Sequence, residues 1–376
     1  MKKIAVLGGG QLGLMLIQSA IDFNIEVAIL DPNPEAPCSN IDSEFFVGDL
    51  NDFDTVYKFG SQYEIITIEI EQVNTKALQK LKDEGKKIFP QPHIIEMIQD
   101  KRLQKQFYQD NNIPTADFIL VDDAAAVRKH ADFLPAVNKI GKGGYDGRGV
   151  QIMRTEADLD KAFDGPGLLE KLIDFEKEIS VIVTRNESGA INAFPPVELV
   201  FHPEANLVEY LLAPALISEA LAQEAMDIAI KLAEKLEAVG LLAVEMFITK
   251  DQRVIVNEIA PRTHNSGHQS IESNMTSQFE QHLRAILNWP LGDTQLIIPS
   301  AMVNILGAEG HTGKAKFQGL EDILEISGCH VHLYGKKITK PFRKMGHVTI
   351  RDTNIDALKE KINFVKKTVK FVSDDQ

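Results

Sequence analysis

The chain has 376 residues, of which 44% are hydrophobic and 25% are charged, and its formal net charge is −14. These values indicate a globular protein of two or three domains, and the acidic balance argues against a nucleic-acid-binding surface. Two cysteines exclude a disulfide framework or a cysteine metal cluster, and with neither a signal-peptide pattern nor a membrane-length apolar run we expect a cytoplasmic protein without membrane contact.

The first ninety residues predict an open parallel sheet. Short apolar strands at 4–7, 27–30 and 65–70 are separated by helical stretches. Residues 8–13, Gly-Gly-Gly-Gln-Leu-Gly, fit the GxGxxG turn between a strand and a helix, and Asp31 ends the second strand, near the place of a ribose-binding acid in dinucleotide folds. We expect a Rossmann-like domain over 1–95, and a nicotinamide-dependent dehydrogenase remains one reading of it.

A glycine-rich loop marks the next unit. A polar helix is predicted over about 93–111, followed by a β-rich segment, and together they form a second domain over 96–180. Residues 143–149 read Gly-Gly-Tyr-Asp-Gly-Arg-Gly between two apolar segments, which indicates a flap at the tip of a hairpin. Glycines let backbone N–H groups approach an anion, and Lys139, Lys142 and Arg148 add positive charge. The pattern favours a cover for a polyphosphate, and a loose glycine hairpin is the alternative.

A pair of carboxylates is the second signal, in a third domain over 181–376. Residues 241–248 and 254–259 read as the strands of a hairpin, in which Glu245 and Glu258 face each other. Magnesium uses one or two carboxylates and leaves other positions for nucleotide phosphates. Strict alternation puts Asn257 on the other face, and a bulge is needed for it to join the metal. The alternative is that one glutamate points to solvent and the other makes an ordinary ion pair.

Two polar clusters and several regular elements complete the third domain. Arg262, His264, Asn265 and His268 follow the hairpin and suit an anion pocket, while zinc binding by the two histidines is a weaker alternative that lacks a third ligand. Residues 340–347 form a compact basic cluster, or a solvated turn. A helix is predicted to begin after Ser218 and to end at Gly240, and the tail predicts strands at 301–306 and 347–350 and a helix near 355–368.

Taken together, the glycine loop, Asn257-Glu-Ile-Ala-Pro-Arg262, His264-Asn-Ser-Gly-His268 and Arg343-Lys-Met-Gly-His347 resemble the 5-(carboxyamino)imidazole ribonucleotide synthases. These are ATP-grasp carboxylases of de novo purine synthesis, and the resemblance covers nearly the whole chain. It implies an α/β protein with the ATP-grasp fold, preceded by the Rossmann-like (pre-ATP-grasp) parallel-sheet domain. It also implies a homodimer that turns ATP, bicarbonate and aminoimidazole ribonucleotide into the N-carboxylated ribonucleotide, ADP and phosphate, with one or two Mg²⁺ ions as cofactor.

The resemblance also implies roles for individual residues. The magnesium ligands are Glu245 and Glu258. The ATP contacts are Lys101, Lys139, Gly144, Tyr145, Asp146, Gly147, Arg148, Gly149, Val150, Glu170, Lys171, Leu172, Ile173, Glu178, His202, Asn257 and Glu258. The ribonucleotide contacts are Gln11, Leu12, Glu71, Asp146, Arg262, His264, Asn265, Arg343 and Lys344. The residues closest to the chemistry are Asp146, Arg262, His264 and Lys344. The chain departs from the family at Leu14, where an arginine is frequent, and at Thr263 and Gln269.

The implied chemistry is the phosphorylation of bicarbonate to carboxyphosphate, which needs charge neutralisation and alignment more than covalent help. Either carboxyphosphate or the carbon dioxide it releases then meets the exocyclic amine, whose proton passes to His264 or Asp146. Three other functions stay open on the sequence alone. They are a formate-using glycinamide ribonucleotide transformylase, the dehydrogenase, and a nucleotide-binding protein without catalysis.

Overall fold

A parallel sheet forms the N-terminal part of the computed structural model, which describes residues 2–41, 44–144, 149–203 and 207–374. Its elements are β1 (Lys3–Leu7), α1 (Gln11–Asp22), β2 (Glu26–Asp31), β3 (Glu44–Val47), α2 (Phe53–Gly60), β4 (Ile65–Ile68), α3 (Thr75–Asp83) and β5 (Lys87–Phe89). All five strands pair in parallel in the order β3-β2-β1-β4-β5. The predicted parallel sheet is confirmed, although the sequence analysis missed its two short edge strands.

The first strand is buried on both faces because its side chains alternate between two cores. Ile4 and Val6 pack with α1 and with a helix near residue 280, whereas Ala5 and Leu7 pack with α2 and α3. The third strand of the prediction is shorter than expected, since β4 ends at Ile68. The parallel strands therefore direct their carboxyl ends, and the residues that follow them, to one edge of the sheet.

The segment predicted as one helix over 93–111 contains two. They are α4 (Pro92–Ile98) and α5 (Lys101–Asp110). Asp100 interrupts the helix with an extended backbone (φ −124°, ψ 106°), and its carboxylate accepts a hydrogen bond from the N–H of Arg102. An aspartate that caps the backbone in this way favours a new helix start over continuation.

A four-stranded antiparallel sheet follows. Its strands are β6 (Phe118–Val121), β7 (Ala136–Ile140), β8 (Val150–Met153) and β9 (Gly167–Lys171). The connections contain α6 (Ala124–Arg128) and short 3₁₀ turns at Ala131–Phe133 and Glu156–Lys161. The order is β6-β9-β7-β8. Lys139 pairs with Val150 across the β7–β8 hairpin, which confirms the predicted strand–loop–strand arrangement around the glycines. Tyr145, Asp146, Gly147 and Arg148 lie outside the described residues.

The largest sheet has nine strands and carries most of the remaining chain. Its elements up to the predicted hairpin are β10 (Phe175–Arg185), β11 (Ile191–Ala193), β12 (Val197–Phe201), β13 (Val208–Ala213), α7 (Glu219–Leu236), β14 (Gly240–Thr249) and β15 (Val254–Ala260). Ser218 caps α7 as predicted, and the apolar stripe of this helix packs against β10 and β14. The predicted end at Gly240 is wrong: Glu237 adopts the left-handed conformation (φ 50°) that ends the helix, and Gly240 begins the next strand.

The C-terminal elements extend the same sheet and add a small one. They are α8 (Ser270–Ser273), α9 (Gln278–Ile286), β16 (Ser300–Leu306), β17 (Gly313–Gln318), α10 (Leu320–Leu324), β18 (Cys329–Leu333), β19 (Ile338–Thr339), β20 (Lys344–Arg351), α11 (Ile355–Thr368) and β21 (Lys370–Ser373). The large sheet runs β15-β14-β10-β12-β13-β16-β20-β18, with β11 beside β10, and the small sheet runs β19-β17-β21. Both predicted tail strands and the last helix are confirmed. In the described part of the chain, no helix is both long and apolar enough to cross a bilayer.

Candidate active site

A cavity of about 870 Å³ is lined by the four-stranded sheet, the nine-stranded sheet and the loop after β4. It brings together most of the residues that the sequence analysis assigned to nucleotide, metal and ribonucleotide. Those that line it are Glu71, Lys101, Lys139, Gly144, Val150, Glu170, Lys171, Leu172, Ile173, Glu178, Glu245, Asn257, Glu258, Arg262, His264, Asn265 and Lys344. The fold thus brings residues as distant in sequence as Glu71 and Lys344 to one cavity.

Other predicted residues lie outside this lining. Gln11 and Leu12 begin α1, and Leu12 is buried there. Gly149 stands at the described end of the glycine loop with φ 74°, and its carbonyl accepts a hydrogen bond from the N–H of Ile140. His202 follows β12 and packs edge-on against Phe342 at 5.5 Å. Arg343 is directed to the neighbouring turn, where its Nη1 donates to the carbonyl of Ile338.

Glu245 and Glu258 pair across β14 and β15, as predicted, but not in a regular hairpin. Met246 pairs with Val256, and the register then shifts by one, so that Glu245 pairs with Glu258 and Asn257 is the extra residue of a bulge. Without the shift, Glu245 would oppose Asn257. The bulge therefore places two carboxylates opposite each other and brings the amide of Asn257 to the cavity as well.

The two carboxylates ionise differently. Burial, followed by the negative charge of Glu258, raises the pKa of Glu245, whereas Lys101 beside Glu258 holds the pKa of that carboxyl well below its ordinary value. Two carboxylates and an amide oxygen are hard ligands of the kind that Mg²⁺ prefers, and a cation between them would relieve their repulsion. The residues present therefore fit a magnesium site that leaves room for phosphate oxygens.

Two lysines lie beside these polar side chains. The Nζ of Lys101, in the first turn of α5, lies 2.9 Å from Oε2 of Glu258. The Nζ of Lys139, on β7, lies 2.8 Å from Oε2 of Glu170 and 3.2 Å from Oδ1 of Asn257. Both side chains line the cavity, and together they place two positive charges beside the carboxylates. Such an arrangement suits an anion that bridges lysine and metal, as a polyphosphate does.

An apolar slot occupies another part of the cavity. Phe175 and Phe247 stack with their ring centroids 4.7 Å apart, and Leu172 and Ile173 continue the chain from β9 towards β10. Glu178 lies beyond them on β10, and burial raises its pKa to about 7, with a further contribution from the charge of Glu258. Apolar walls suit a flat heterocycle, and a carboxylate beyond them suits hydroxyl groups.

The polar cluster after the hairpin forms a third part of the cavity. Nε of Arg262 lies 2.8 Å from Oε1 of Glu71, which ties the large sheet to the loop after β4. Gln278 holds the backbone of His264 at both its N–H and its carbonyl, at 2.8 and 2.7 Å. Burial, with the charges of Arg262 and Lys344, lowers the pKa of His264 to about 3, so its imidazole is neutral near pH 7.

Glu69 belongs to this region and was missed from the sequence. Its Oε1 accepts a hydrogen bond from the N–H of Leu12 at 3.2 Å, and its side chain packs against Gly8 and Gly10. Burial raises the pKa of Glu69 to about 7, although Arg262 acts in the opposite direction. The predicted strand extended to residue 70 and so included Glu69, whereas β4 ends at Ile68; a carboxylate directly after a parallel strand is the signal that could have revealed it.

The glycine loop of residues 8–13 is filled by protein carboxylates. Besides Glu69, Asp31 lies there and accepts hydrogen bonds from the N–H groups of Gly9 and Asn33, at 2.7 and 2.8 Å. A dinucleotide pyrophosphate would meet two carboxylates at this turn, which counts against the dehydrogenase. Leu14, where the family often has arginine, packs against the core between α1 and α9.

His268 lies in a stack of imidazoles rather than in a metal centre. Its ring centroid is 4.6 Å from that of His347, which in turn lies 4.4 Å from that of His332. Across the four described segments of the chain, no group of three or more His, Cys, Asp or Glu side chains is arranged to hold a metal ion, which removes support from the zinc alternative. The stack joins the loop of His264 to β18 and β20.

Three family models match successive parts of the chain. A ribonucleotide synthetase preATP-grasp domain matches residues 1–99, an ATP-grasp domain matches residues 106–279, and a phosphoribosylaminoimidazole carboxylase C-terminal domain matches residues 300–361. The fold is therefore that of an ATP-grasp protein with an N-terminal preATP-grasp domain, as the sequence analysis expected.

Two curated relatives that match over most of their own length share one name. The N5-carboxyaminoimidazole ribonucleotide synthase of Bacillus subtilis is 37% identical over 92% of this chain and 90% of its own length, and that of Synechococcus elongatus is 39% identical over 92% and 89%. The crystal structure of the Thermotoga maritima synthetase matches with a TM-score of 0.92, 42% identity and full coverage of both chains. The Aspergillus clavatus synthase, solved with ADP and 5-aminoimidazole ribonucleotide, matches with a TM-score of 0.89 and 32% identity over 97% of this chain and 98% of that one.

Proposed function

The chain belongs to the N5-carboxyaminoimidazole ribonucleotide synthase family, and on that premise we propose the reaction that it catalyses. It carboxylates the exocyclic amine of 5-aminoimidazole ribonucleotide with bicarbonate and ATP, and it releases ADP and phosphate. The enzyme is an ATP-grasp ligase of purine biosynthesis. The observation that carries the proposal is the cavity in which the Glu245–Glu258 pair, two lysines and the Arg262–His264 cluster meet.

Magnesium is the proposed metal. The pairing of Glu245 with Glu258 and the bulge at Asn257 support this assignment because they gather three oxygen donors at the cavity wall. One or two ions fit the proposal. When bound, magnesium would supply charge neutralisation to the terminal phosphates of ATP.

Binding of ATP falls to residues on both sides of the cavity. Lys101 and Lys139 are placed to bind phosphate oxygens, and the slot beside Phe175 and Phe247 takes the adenine. Glu178 is the proposed partner of the ribose hydroxyls. The loop between β7 and β8 is proposed to cover the phosphates, and this role is supported by Gly144, in the described part of that loop, and Val150, the first residue of β8, which both line the cavity.

The first chemical step joins an oxygen of bicarbonate to the γ-phosphorus of ATP, while the bond from that phosphorus to ADP breaks. The product is carboxyphosphate. Little covalent assistance is needed, because a loose phosphoryl-transfer transition state is stabilised mainly by alignment and by positive charge. Lys101 and Lys139 provide that charge from fixed positions, held by Glu258 and Glu170.

The second step joins the carbon to the exocyclic amine, which loses a proton, while phosphate leaves with the bridging oxygen. Arg262 and Lys344 are the proposed ligands of the ribonucleotide phosphate, and both line the cavity. Asn265, next to them, donates or accepts a further hydrogen bond. The low pKa of His264 makes it a weak base, so substrate binding is its better supported role, and Asp146 is the other proposed proton acceptor.

A homodimer and a cytoplasmic location are further parts of the proposal, and both rest on the family resemblance of the motifs. Light scattering of the purified protein at several concentrations tests the dimer, and cell fractionation tests the location.

The choice of acyl donor decides between this function and a formate-using transformylase. Phosphate release is measured with ATP and aminoimidazole ribonucleotide, with bicarbonate or formate in bicarbonate-free buffer. We expect phosphate release in the mixture that contains bicarbonate and none in the mixture that contains formate. Turnover with formate and glycinamide ribonucleotide would assign the chain to the other activity, and ATP binding without phosphate release in any mixture would make it a non-catalytic nucleotide-binding protein.

A further inference from the structure

Lys105 is a buried lysine that the reaction described above does not use. It lies on α5, one turn after Lys101, and only 2% of its surface is exposed. Its ammonium group contacts two partners, Oε1 of Glu170 at 2.5 Å and the hydroxyl of Thr115. Lys105 is not part of the cavity lining, whereas Glu170 is. An ammonium buried this deeply is costly unless its partners compensate it, so its position calls for an explanation.

Glu170 connects Lys105 to the cavity. Its second oxygen, Oε2, lies 2.8 Å from the Nζ of Lys139, so one carboxylate is shared between a lysine behind the wall and a lysine at its surface. Glu170 is itself buried, with 4% of its surface exposed. Burial acts to raise the pKa of Glu170, but Lys139 and Lys105 together hold it below its ordinary value, so the side chain stays ionised.

Thr115 connects Lys105 to the strand of the proposed metal ligands. Its hydroxyl donates to the carbonyl of Val256 at 2.9 Å, and the N–H of Val256 donates to the carbonyl of Pro114 at 2.8 Å. Val256 directly precedes the bulge at Asn257, whose amide oxygen meets Lys139. Lys105 is thus joined to Lys139 by two routes, one through Glu170 and one through β15.

We propose that Lys105 is a positioning residue for the nucleotide phosphates, which it never touches: it neutralises Glu170 so that the charge of Lys139 remains available to the ligand. A carboxylate beside Lys139 would otherwise cancel that charge and repel the phosphates. Two ammonium groups around one carboxylate leave a net positive charge at the cavity wall. This inference rests on the proposed binding of ATP in the cavity.

Replacing Lys105 by methionine tests the inference, because it keeps the length of the side chain and removes its charge. We expect the dissociation constant of ADP, measured by calorimetry, and the KM for ATP to rise about 10- to 100-fold, as when a residue that orients a ligand-binding group is lost. The KM for aminoimidazole ribonucleotide should change less than about threefold, because the hydrogen bonds of Lys105 lead to Glu170 and Thr115, on the side of the proposed ATP phosphates. Lys361→Met is the matched control: it removes a lysine that pairs with Asp352 at 2.8 Å, remote from the cavity, and should leave both constants unchanged.

A double-mutant cycle with Glu170→Gln tests the route of the effect. Without a carboxylate to neutralise, loss of Lys105 should weaken ADP binding by less than about threefold in the Glu170→Gln background. An equal loss of affinity in both backgrounds, or wild-type ADP affinity in Lys105→Met, would overturn the inference. If Lys105→Met does not fold, Lys105→Gln replaces it, because glutamine keeps a donor for Thr115. We expect Lys105→Gln to show the same loss of ADP affinity. Normal ADP binding by Lys105→Gln would overturn the inference. A failure of the proposed function is seen separately, as wild-type protein that does not bind ADP at all.

Discussion

Glu245 faces Glu258 across the β14–β15 hairpin because Asn257 adds one residue to the second strand. The pairing of Met246 with Val256 sets a register in which Glu245 would oppose Asn257, and the bulge shifts the strand by one position. The extra residue interrupts the hydrogen bonding between the two strands and changes the direction of the neighbouring side chains, as bulges commonly do beside active sites. The two carboxylates, the amide and the lysines around them form the part of the cavity on which the proposed phosphate chemistry depends.

Glu258→Gln should abolish turnover while leaving the fold intact. The substitution keeps the shape of the side chain, removes a negative charge from the proposed metal site and leaves Lys101 without its carboxylate partner. We expect kcat to fall at least about 100-fold, and the thermal stabilisation that Mg²⁺ and ADP give to the wild type to disappear. Gln252→Glu, in the turn of the same hairpin, is the control: it should leave both kcat and the thermal stabilisation by Mg²⁺ and ADP unchanged. A variant with full activity and normal Mg²⁺-dependent stabilisation would show that Glu258 is not a metal ligand.

Asn257→Ala isolates the contribution of the bulge residue. Alanine can occupy the same backbone position but offers no oxygen to Lys139 or to a metal. The expected result is a KM for ATP raised about tenfold, the magnitude of losing a hydrogen bond to a charged group, with an unchanged unfolding midpoint. Steady-state kinetics at saturating aminoimidazole ribonucleotide measure this KM. An unchanged KM would mean that the side chain of Asn257 does not contribute to ATP binding and that the bulge only sets the strand register.

Lys344→Ala and Arg343→Ala should differ, although the two residues are neighbours in sequence. Lys344 lines the cavity, whereas the guanidinium of Arg343 bonds the carbonyl of Ile338 outside the lining. We expect Lys344→Ala to raise the KM for aminoimidazole ribonucleotide about 10- to 100-fold with little change for ATP, and Arg343→Ala to change it less than about threefold. Equal effects of Lys344→Ala on both substrates would count against its role as a phosphate ligand of the ribonucleotide.

Patterns of short range account for the parts of this fold that the sequence predicted. The stripe and N-cap of α7, the last helix α11 and the strands around the glycine loop are fixed by residues within a few positions of one another, so periodicity reveals them. The divided helix at Asp100 and the left-handed residue Glu237 were missed because a single side chain or dihedral angle decides each of them.

The sequence likewise predicted some features of the candidate site and not others. Glu245 and Glu258 were predicted to face each other, but the bulge that aligns them depends on the pairing register of two whole strands. Glu69 was missed because its importance arises only when β4 brings it against the turn before α1. Lys105 was missed because nothing in a polar helix pattern marks which lysine is buried. Contacts between segments distant in sequence decide the last two.

Glu69→Gln should alter how stability depends on pH. The folded protein raises the pKa of this carboxyl from 4.5 to about 7, mainly through burial, so the folded state keeps a proton that the unfolded state releases. The stabilisation of the folded state by this proton is fully present below pH 4.5 and is lost as the pH rises through about 7, by about 3 kcal/mol. Glutamine cannot titrate, so the variant should lose less stability than the wild type across that window. Urea unfolding at several pH values measures it, and parallel pH profiles would contradict the raised pKa.

The central claim is that this chain transfers the γ-phosphoryl group of ATP to bicarbonate. The carboxyl group of the activated bicarbonate then passes to the amine of the ribonucleotide. The most direct measurement uses bicarbonate labelled with ¹⁸O at every oxygen, together with ATP and aminoimidazole ribonucleotide, and determines the isotope content of the released phosphate by mass spectrometry. Because the bridging oxygen of carboxyphosphate leaves with phosphorus, we predict one ¹⁸O atom in each phosphate, with release that requires both bicarbonate and the ribonucleotide. Unlabelled phosphate, or release that needs neither substrate, would contradict the account.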